Sequence, residues 1–170
     1  VTKTCIVNDR GIHICKSMVA WLRDGSGATP ASTGKKGDHL VGDFYVLYNT
    51  LFKQEVEELV KNGMSKDDAE KNAPILLEAQ QMLVDWEAGK PEVIELWQKM
   101  NSWVYDGFQK TYDRIGSDFN KTYYESNTYL LGKDLVETGL SKKVFYQKDD
   151  SSVWIDLTAD GLDEKIVRRR

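Results

Sequence analysis

Between Pro91 and Gly116 the apolar residues Val93, Trp97, Met100, Val104, Phe108, Tyr112 and Ile115 recur at three- and four-residue steps. This spacing puts them on one stripe of a helix about seven turns long, around which the rest of the chain must pack. Pro91 suits the first helical position, because its fixed φ is already helical and its missing N–H would have had no partner. Gly116 supplies the left-handed residue that closes a helix. Trp103 and Tyr105 lie off the stripe, so protein is expected against more than one side of this helix, which makes it a central wall. Beyond Gly116 the period changes to two. Phe119, Lys121 and Tyr123 alternate with Asn120, Thr122 and Tyr124, a strand pattern that delivers Glu125 and Ser126 at its carboxyl end. In sheets flanked by helices, ligands bind outside the carboxyl ends of strands, so Glu125 is the first place to look for chemistry.

A chain of 170 residues has the length of one ordinary domain and can bury a real core. Its net charge of −4 gives no general attraction to nucleic acid, and residues 53–92 carry twice as many acids as bases, which repels phosphate. Cys5 and Cys15 are too few for a disulfide scaffold, and no apolar run approaches the roughly 20 residues that cross a bilayer. With no secretory signal pattern, a cytoplasmic location is expected, where the Asn120-Lys121-Thr122 sequon meets no glycosylating enzyme. The sequence opens inside a strand-like stretch without an initiator Met and closes on Arg168-Arg169-Arg170, ends that read as those of an excised piece. The basic end is read as a solvated terminus or cut site rather than a nucleic-acid patch.

From the start of the chain, residues 4–7 form a short strand candidate, followed by the turn Asn8-Asp9-Arg10-Gly11 and a helix whose apolar face is Ile14, Met18, Trp21 and Leu22. Strand, tight turn and helix make half of a βαβ unit. Residues 26–37, rich in Gly, Ser, Thr and Pro, read as a loop. They do not form a P-loop, because six residues rather than four separate Gly27 from Gly34, and Lys35 is followed by Lys36. Asp38 is expected to cap a long helix running to Asn62-Gly63. Ser65, with Asp67, Asp68 and Glu70, opens another, and Pro74 kinks or splits it, leaving residues 75–86 as the better helix. These helices are expected to pack on the one beginning at Pro91. Further on, a helix over residues 128–137, a hairpin of residues 144–147 and 152–157, and a last strand near 165–167 complete a small mixed sheet.

Cys5, His13, Cys15 and His39 lack the paired spacing of a zinc site, so no metal ligands are assigned. Two histidines without a nucleophile–base–orienter set do not support a hydrolase, and no catalytic residue is assigned either. Phe44/Tyr45 and Tyr123/Tyr124 can stack on bases or fill a core. Asp9 is equally a turn residue or a ligand.

Four strings together identify a family: IVNDRGIHICKSM (residues 6–18), KKGDHLVGDFYVLY (35–48), LWQKMNSWVYDGFQKTYDRIGSDFNKTYYESNTYL (96–130) and VWIDLTADGLDEK (153–165). In this order they resemble the interior of the catalytic region of bacterial arginyl-tRNA synthetases, which are class I synthetases with a Rossmann-like catalytic fold. The family's two signature motifs, His-x-Gly-His and a Lys-Met-Ser-Lys-like loop, are absent from the sequence, and family order implies that they precede Val1 and follow Arg170. The resemblance implies an internal fragment of a mostly helical α+β class. Residues 1–25 would be a catalytic-fold strand–turn–helix, 26–96 a helical insertion, 97–125 a catalytic-fold helix and strand, and 126–170 a small α/β insertion.

The same resemblance implies a parent enzyme that activates L-arginine with ATP, with Mg2+ accompanying the nucleotide, and transfers it to tRNA(Arg). No membrane partner is implied, and the piece alone is expected to be inactive, without bound cofactor or strong nucleic-acid affinity. Glu125 matches the carboxylate of the family's Gly-Glu-Ser, at the arginine pocket, with Tyr124 in place of the Gly and Ser126 following. A guanidinium suits a planar, acceptor-only partner that takes two parallel N–H bonds. Asn8-Asp9-Arg10-Gly11 with His13 matches Gly-Asp-Trp-Gly followed two residues later by Gln, agreeing at Asp9 and Gly11 and departing at Asn8, Arg10 and His13. Glu125, Ser126, Asn8, Asp9 and His13 are therefore the substrate-binding candidates. The contrasting expectation is an autonomous helical module whose aromatic-rich surface binds a protein partner.

Overall fold

Periodicity, caps and turn signals order the chain as β1 (Thr4–Val7), α1 (Ile12–Asp24), α2 (Pro30–Thr33), α3 (Gly37–Lys61), α4 (Lys66–Asn72), α5 (Pro74–Glu87), α6 (Pro91–Ile115), β2 (Lys121–Tyr124), α7 (Glu125–Ser141), β3 (Phe145–Gln147), β4 (Val153–Ile155), a 3-10 turn (Thr158–Asp160) and β5 (Lys165–Arg168). The computed structural model describes residues 1–168; Arg169 and Arg170 of the basic end lie outside the described residues. This is the mostly helical α+β class that the sequence implies. Two compact units divide it, one of Val1–Lys3 and Asp9–Asn120, the other of Thr4–Asn8 with the chain from Lys121 on.

In the first unit, α6 has both of its predicted ends: Pro91 sits in the first turn and Gly116 closes it at φ 70. Its buried residues are Val93, Met100, Asn101 and Gly107, whereas Ile115, counted on the apolar stripe, is 64% exposed. The last turn of a long helix runs past the layer it packs on. The α3 and α6 helices meet closely because Gly37 rests on the Trp103 backbone and Gly107 on Asp38. Lys36 Nζ fixes the same crossing, donating to Thr111 Oγ1 at 2.6 Å and pairing with Asp38 Oδ2 at 3.1 Å. The expected cap is corrected here: α3 starts at Gly37 with Lys36 as N-cap, and Asp38 lies inside the first turn as an ion-pair partner.

The core of this unit gathers Cys15, Val19, Ala20, Leu40, Phe44, Tyr48, Ile75 and Ala79 from α1, α3 and α5. The inward face of α1 therefore centres on Cys15, Met18 and Val19; Leu22, expected inside, is 57% exposed. Small residues such as Ala20 let neighbouring helices approach, and so take the inward positions that hydrophobicity alone gives to Leu22. Pro74 splits the acidic stretch into α4 and α5, and Ser65 caps α4 by accepting from the Asp68 N–H. Ala73 gives α5 no side-chain cap, but Glu55 Oε2 on α3 accepts the Ile75 N–H at 2.7 Å in its place. Glu55 Oε1 also accepts from Arg23, which bonds Glu78 through two nitrogens. The stretch read as a loop holds the short helix α2, closed by a Thr29/Ser32 capping box with Pro30 at its start.

In the second unit, β1 and β2 pair in parallel, and β3, β4 and β5 form a separate sheet that is antiparallel throughout. The small sheet expected to be mixed is thus antiparallel, and the parallel pairing belongs to the separate β1–β2 sheet. The helix α7 begins at Glu125, three residues before the expected start, directly where β2 stops, and it has no side-chain cap. Gly139 on α7 packs against the Phe145 ring, and Val153, at the start of β4, is fully buried. No helix of the described residues is long and apolar enough to cross a membrane.

Candidate functional site

Strand register places the first group of candidates. Thr4, Cys5, Ile6 and Val7 pair with Lys121, Thr122, Tyr123 and Tyr124 in turn. Neighbouring strands lie about 4.8 Å apart, so Asn8 and Glu125, each one residue beyond the Val7–Tyr124 pair, leave the sheet side by side at its carboxyl edge. Asn8 is exposed, and Glu125 and Ser126 are half-buried. Because α7 starts at Glu125, the carboxylate stands in the first turn, where the unpaired N–H groups of the helix favour negative charge. Thr128 Oγ1 bonds the Tyr124 carbonyl at 3.2 Å, fastening the strand-to-helix junction. The arrangement can take a cation: it offers a planar carboxylate beside an amide donor and acceptor.

The turn that follows Asn8 belongs to the first unit and is held from below. Asp9 is 2% exposed. Its carbonyl accepts Trp97 Nε1 at 2.6 Å and Asn101 Nδ2 at 3.1 Å, while its carboxylate accepts the Tyr105 hydroxyl at 2.9 Å. Arg10 lies over the Trp86 ring at 5.3 Å and donates to Glu87 Oε1 at 3.0 Å. Trp86 meets Trp97 edge to face, 5.3 Å between centroids. Gly11, at φ 100, turns the chain into α1, where His13 is exposed and its Nδ1 lies 3.2 Å from the Tyr45 hydroxyl.

Asn8, Glu125 and Ser126 thus share one sheet edge, and Asp9 and His13 share one turn. Trp97, Asn101 and Tyr105 escaped the sequence reading as a set. Their signal was present: hydrogen-bond donors at successive four-residue steps fall on one helix face. Of the aromatic pairs, Phe44 is core, Tyr45 bonds His13, and Tyr123 carries the Lys121 ammonium 4.6 Å from its ring centre. Among the described residues, no three His, Cys, Asp or Glu side chains gather to hold a metal ion. A groove lined by Val19, Leu22, Met82 and Val93, with Glu78, Gln81 and Asp85 at its rim, contains none of the candidates.

Comparison with profile models of known protein families finds no match. Individual relatives do match. Over 169 residues, 99% of this chain, it is 61% identical to an arginine–tRNA ligase of Bacteroides fragilis strain YCH46, 60% identical to one of Bacteroides thetaiotaomicron and 59% identical to one of Flavobacterium psychrophilum. The chain spans 28% of the length of these curated relatives. Matched from end to end at this identity, the chain is a segment of the arginine–tRNA ligase family.

Proposed function

We propose that this chain contributes the guanidinium-binding edge of a longer enzyme that activates L-arginine with ATP and transfers it to tRNA(Arg) in the cytoplasm. The observation that carries the reading is the β1–β2 register, in which Glu125 and Asn8 leave adjacent strands at the same carboxyl edge. Glu125 takes the two parallel N–H bonds of the guanidinium, a charge-assisted pairing for which a carboxylate is the natural partner. Asn8 and Ser126 border that group with neutral donors and acceptors. Asp9 is carried as a further substrate-binding candidate by its match to the family turn, and His13 by its position where that turn has Gln. Residues 1–25 and 97–125 act as pieces of the catalytic fold, with 26–96 and 126–170 as insertions.

Neither phosphate-handling signature of a class I synthetase is in this sequence, so the preorganised charge that stabilises adenylate formation comes from elsewhere in the parent, as does any Mg2+ bound with ATP. Arginine-dependent ATP–pyrophosphate exchange, run on the full-length protein and on the isolated segment, tests the proposal. Exchange by the full-length protein alone is expected. Exchange above background by the segment, or no arginine dependence in the full-length protein, contradicts it.

A further inference from the structure

We propose that the groove between α1, α5 and α6 receives one lysine or arginine side chain from a part of the full-length enzyme outside this chain, its apolar stem on Leu22, Met82 and Val93 and its cationic head at Glu78 and Asp85. The inference goes beyond the arginine site proposed above and does not depend on it. All the residues that line the groove lie within the first unit. Val19 and Val93 are buried there and Met82 is half-buried, while Leu22 stands 57% exposed beside them. A lone exposed leucine is ordinary, but one that continues a buried apolar surface is a place where water is displaced with gain.

Size and charge select the occupant. The groove holds about 200 Å3, below the roughly 300–1,000 Å3 of a small-molecule pocket and suited to one long side chain. Its rim is acidic, because each base there is shared by two acids. Arg23 pairs with both Glu78 and Glu55, and Lys90 pairs with Asp85 at 2.8 Å while feeling the charge of Glu92. Across residues 53–92 acids outnumber bases two to one, so the surroundings add to this field. A side chain with an apolar stem and a cationic tip satisfies both parts of the groove, and lysine and arginine are built that way. The source is the enzyme's own polypeptide. This chain spans 28% of the length of its relatives, and a tethered group outcompetes a free one through its high effective concentration.

The experiment uses the full-length protein with Leu22→Cys and, as control, Val84→Cys, a residue equally exposed on α5 but outside the groove. Maleimide labelling, followed at each position by peptide mass spectrometry, should be about tenfold slower at position 22 than at position 84. Raising the salt to about 1 M shortens the screening length to about 3 Å and should narrow that difference at least twofold. With p-benzoylphenylalanine incorporated at position 22, irradiation should cross-link the groove to a peptide outside this chain that carries a lysine or arginine next to the linked residue. Both positions are exposed, so folding should survive each change, and the melting temperature verifies it. Equal labelling at the two positions, or protection that salt leaves unchanged, overturns the inference. So do cross-links confined to this chain, or to a second copy in a mixture of isotopically light and heavy enzyme. Arginine-dependent exchange, measured separately, decides the proposed function whichever way the groove behaves.

Discussion

Gly37 lies so close to the backbone carbonyl of Trp103 that no methyl group fits between them. The crossing of α3 and α6 depends on that absence of a side chain. Gly37→Ala should cost about 1–3 kcal/mol, because the obstacle is backbone and cannot swing aside. Gly42, in the same helix but with open space around its α-carbon, is the control: Gly42→Ala should stabilise by roughly 0.5–1 kcal/mol. Urea denaturation of the two variants checks the pair, and equal effects would remove the close-approach argument.

Local chemistry made much of this fold legible before any coordinates. Pro91 and Gly116 mark both ends of α6, Ser65 caps α4, and Pro74 separates α4 from α5. What stayed hidden depends on partners distant in sequence. The N-terminus of α5 is satisfied by Glu55 from α3, a bond that no local motif encodes. The early start of α7 follows from β2 running straight into it without a capping side chain. Among the candidates, the match of Glu125 to a family carboxylate was readable, but its place beside Asn8 at the sheet edge needed the parallel register; in the other unit, the burial of Asp9 needed α6.

Tyr48 presents a case in which removing a polar group should cost nothing. Its ring is 1% exposed and stacks on Phe52, yet among the described residues its hydroxyl has no hydrogen-bond partner. Tyr48→Phe is therefore expected to be neutral or stabilising by up to about 1 kcal/mol, whereas Tyr48→Ala should cost roughly 3–5 kcal/mol through the cavity it leaves. Thermal melts of both variants decide it. A loss above 1 kcal/mol in Tyr48→Phe would mean that the hydroxyl is bonded after all.

Alkaline pH should weaken the protein through the same core. Burial pushes the Cys15 thiol up to about 11 from 9.0 and the Tyr48 hydroxyl up to about 12 from 10.0. Above pH 9 the unfolded chain releases protons that the folded one keeps, so stability falls as pH rises; below pH 9 both states hold them and the effect vanishes. Between pH 9 and 10, Cys15 alone should contribute a slope of up to about 1.4 kcal/mol per pH unit. Denaturation midpoints at pH 8, 9 and 10 should show this decline, and Cys15→Ala should flatten it. A decline of equal steepness in Cys15→Ala would assign the effect to other groups.

The central claim, that Glu125 at the β1–β2 edge receives the arginine guanidinium, is tested most directly by arginine-dependent ATP–pyrophosphate exchange in the full-length protein carrying Glu125→Gln. This substitution keeps the shape and one acceptor and removes the charge. Losing a charge-assisted pair costs about 1.5–3 kcal/mol, so kcat/KM for arginine should fall on the order of tenfold to a hundredfold while the ATP KM stays within twofold. The contrary role is also written in the structure, because a carboxylate in the first turn of α7 steadies that helix with no ligand at all. Arginine kinetics within twofold of wild type, together with a lowered melting temperature, would contradict the claim and leave Glu125 as a helix-stabilising residue.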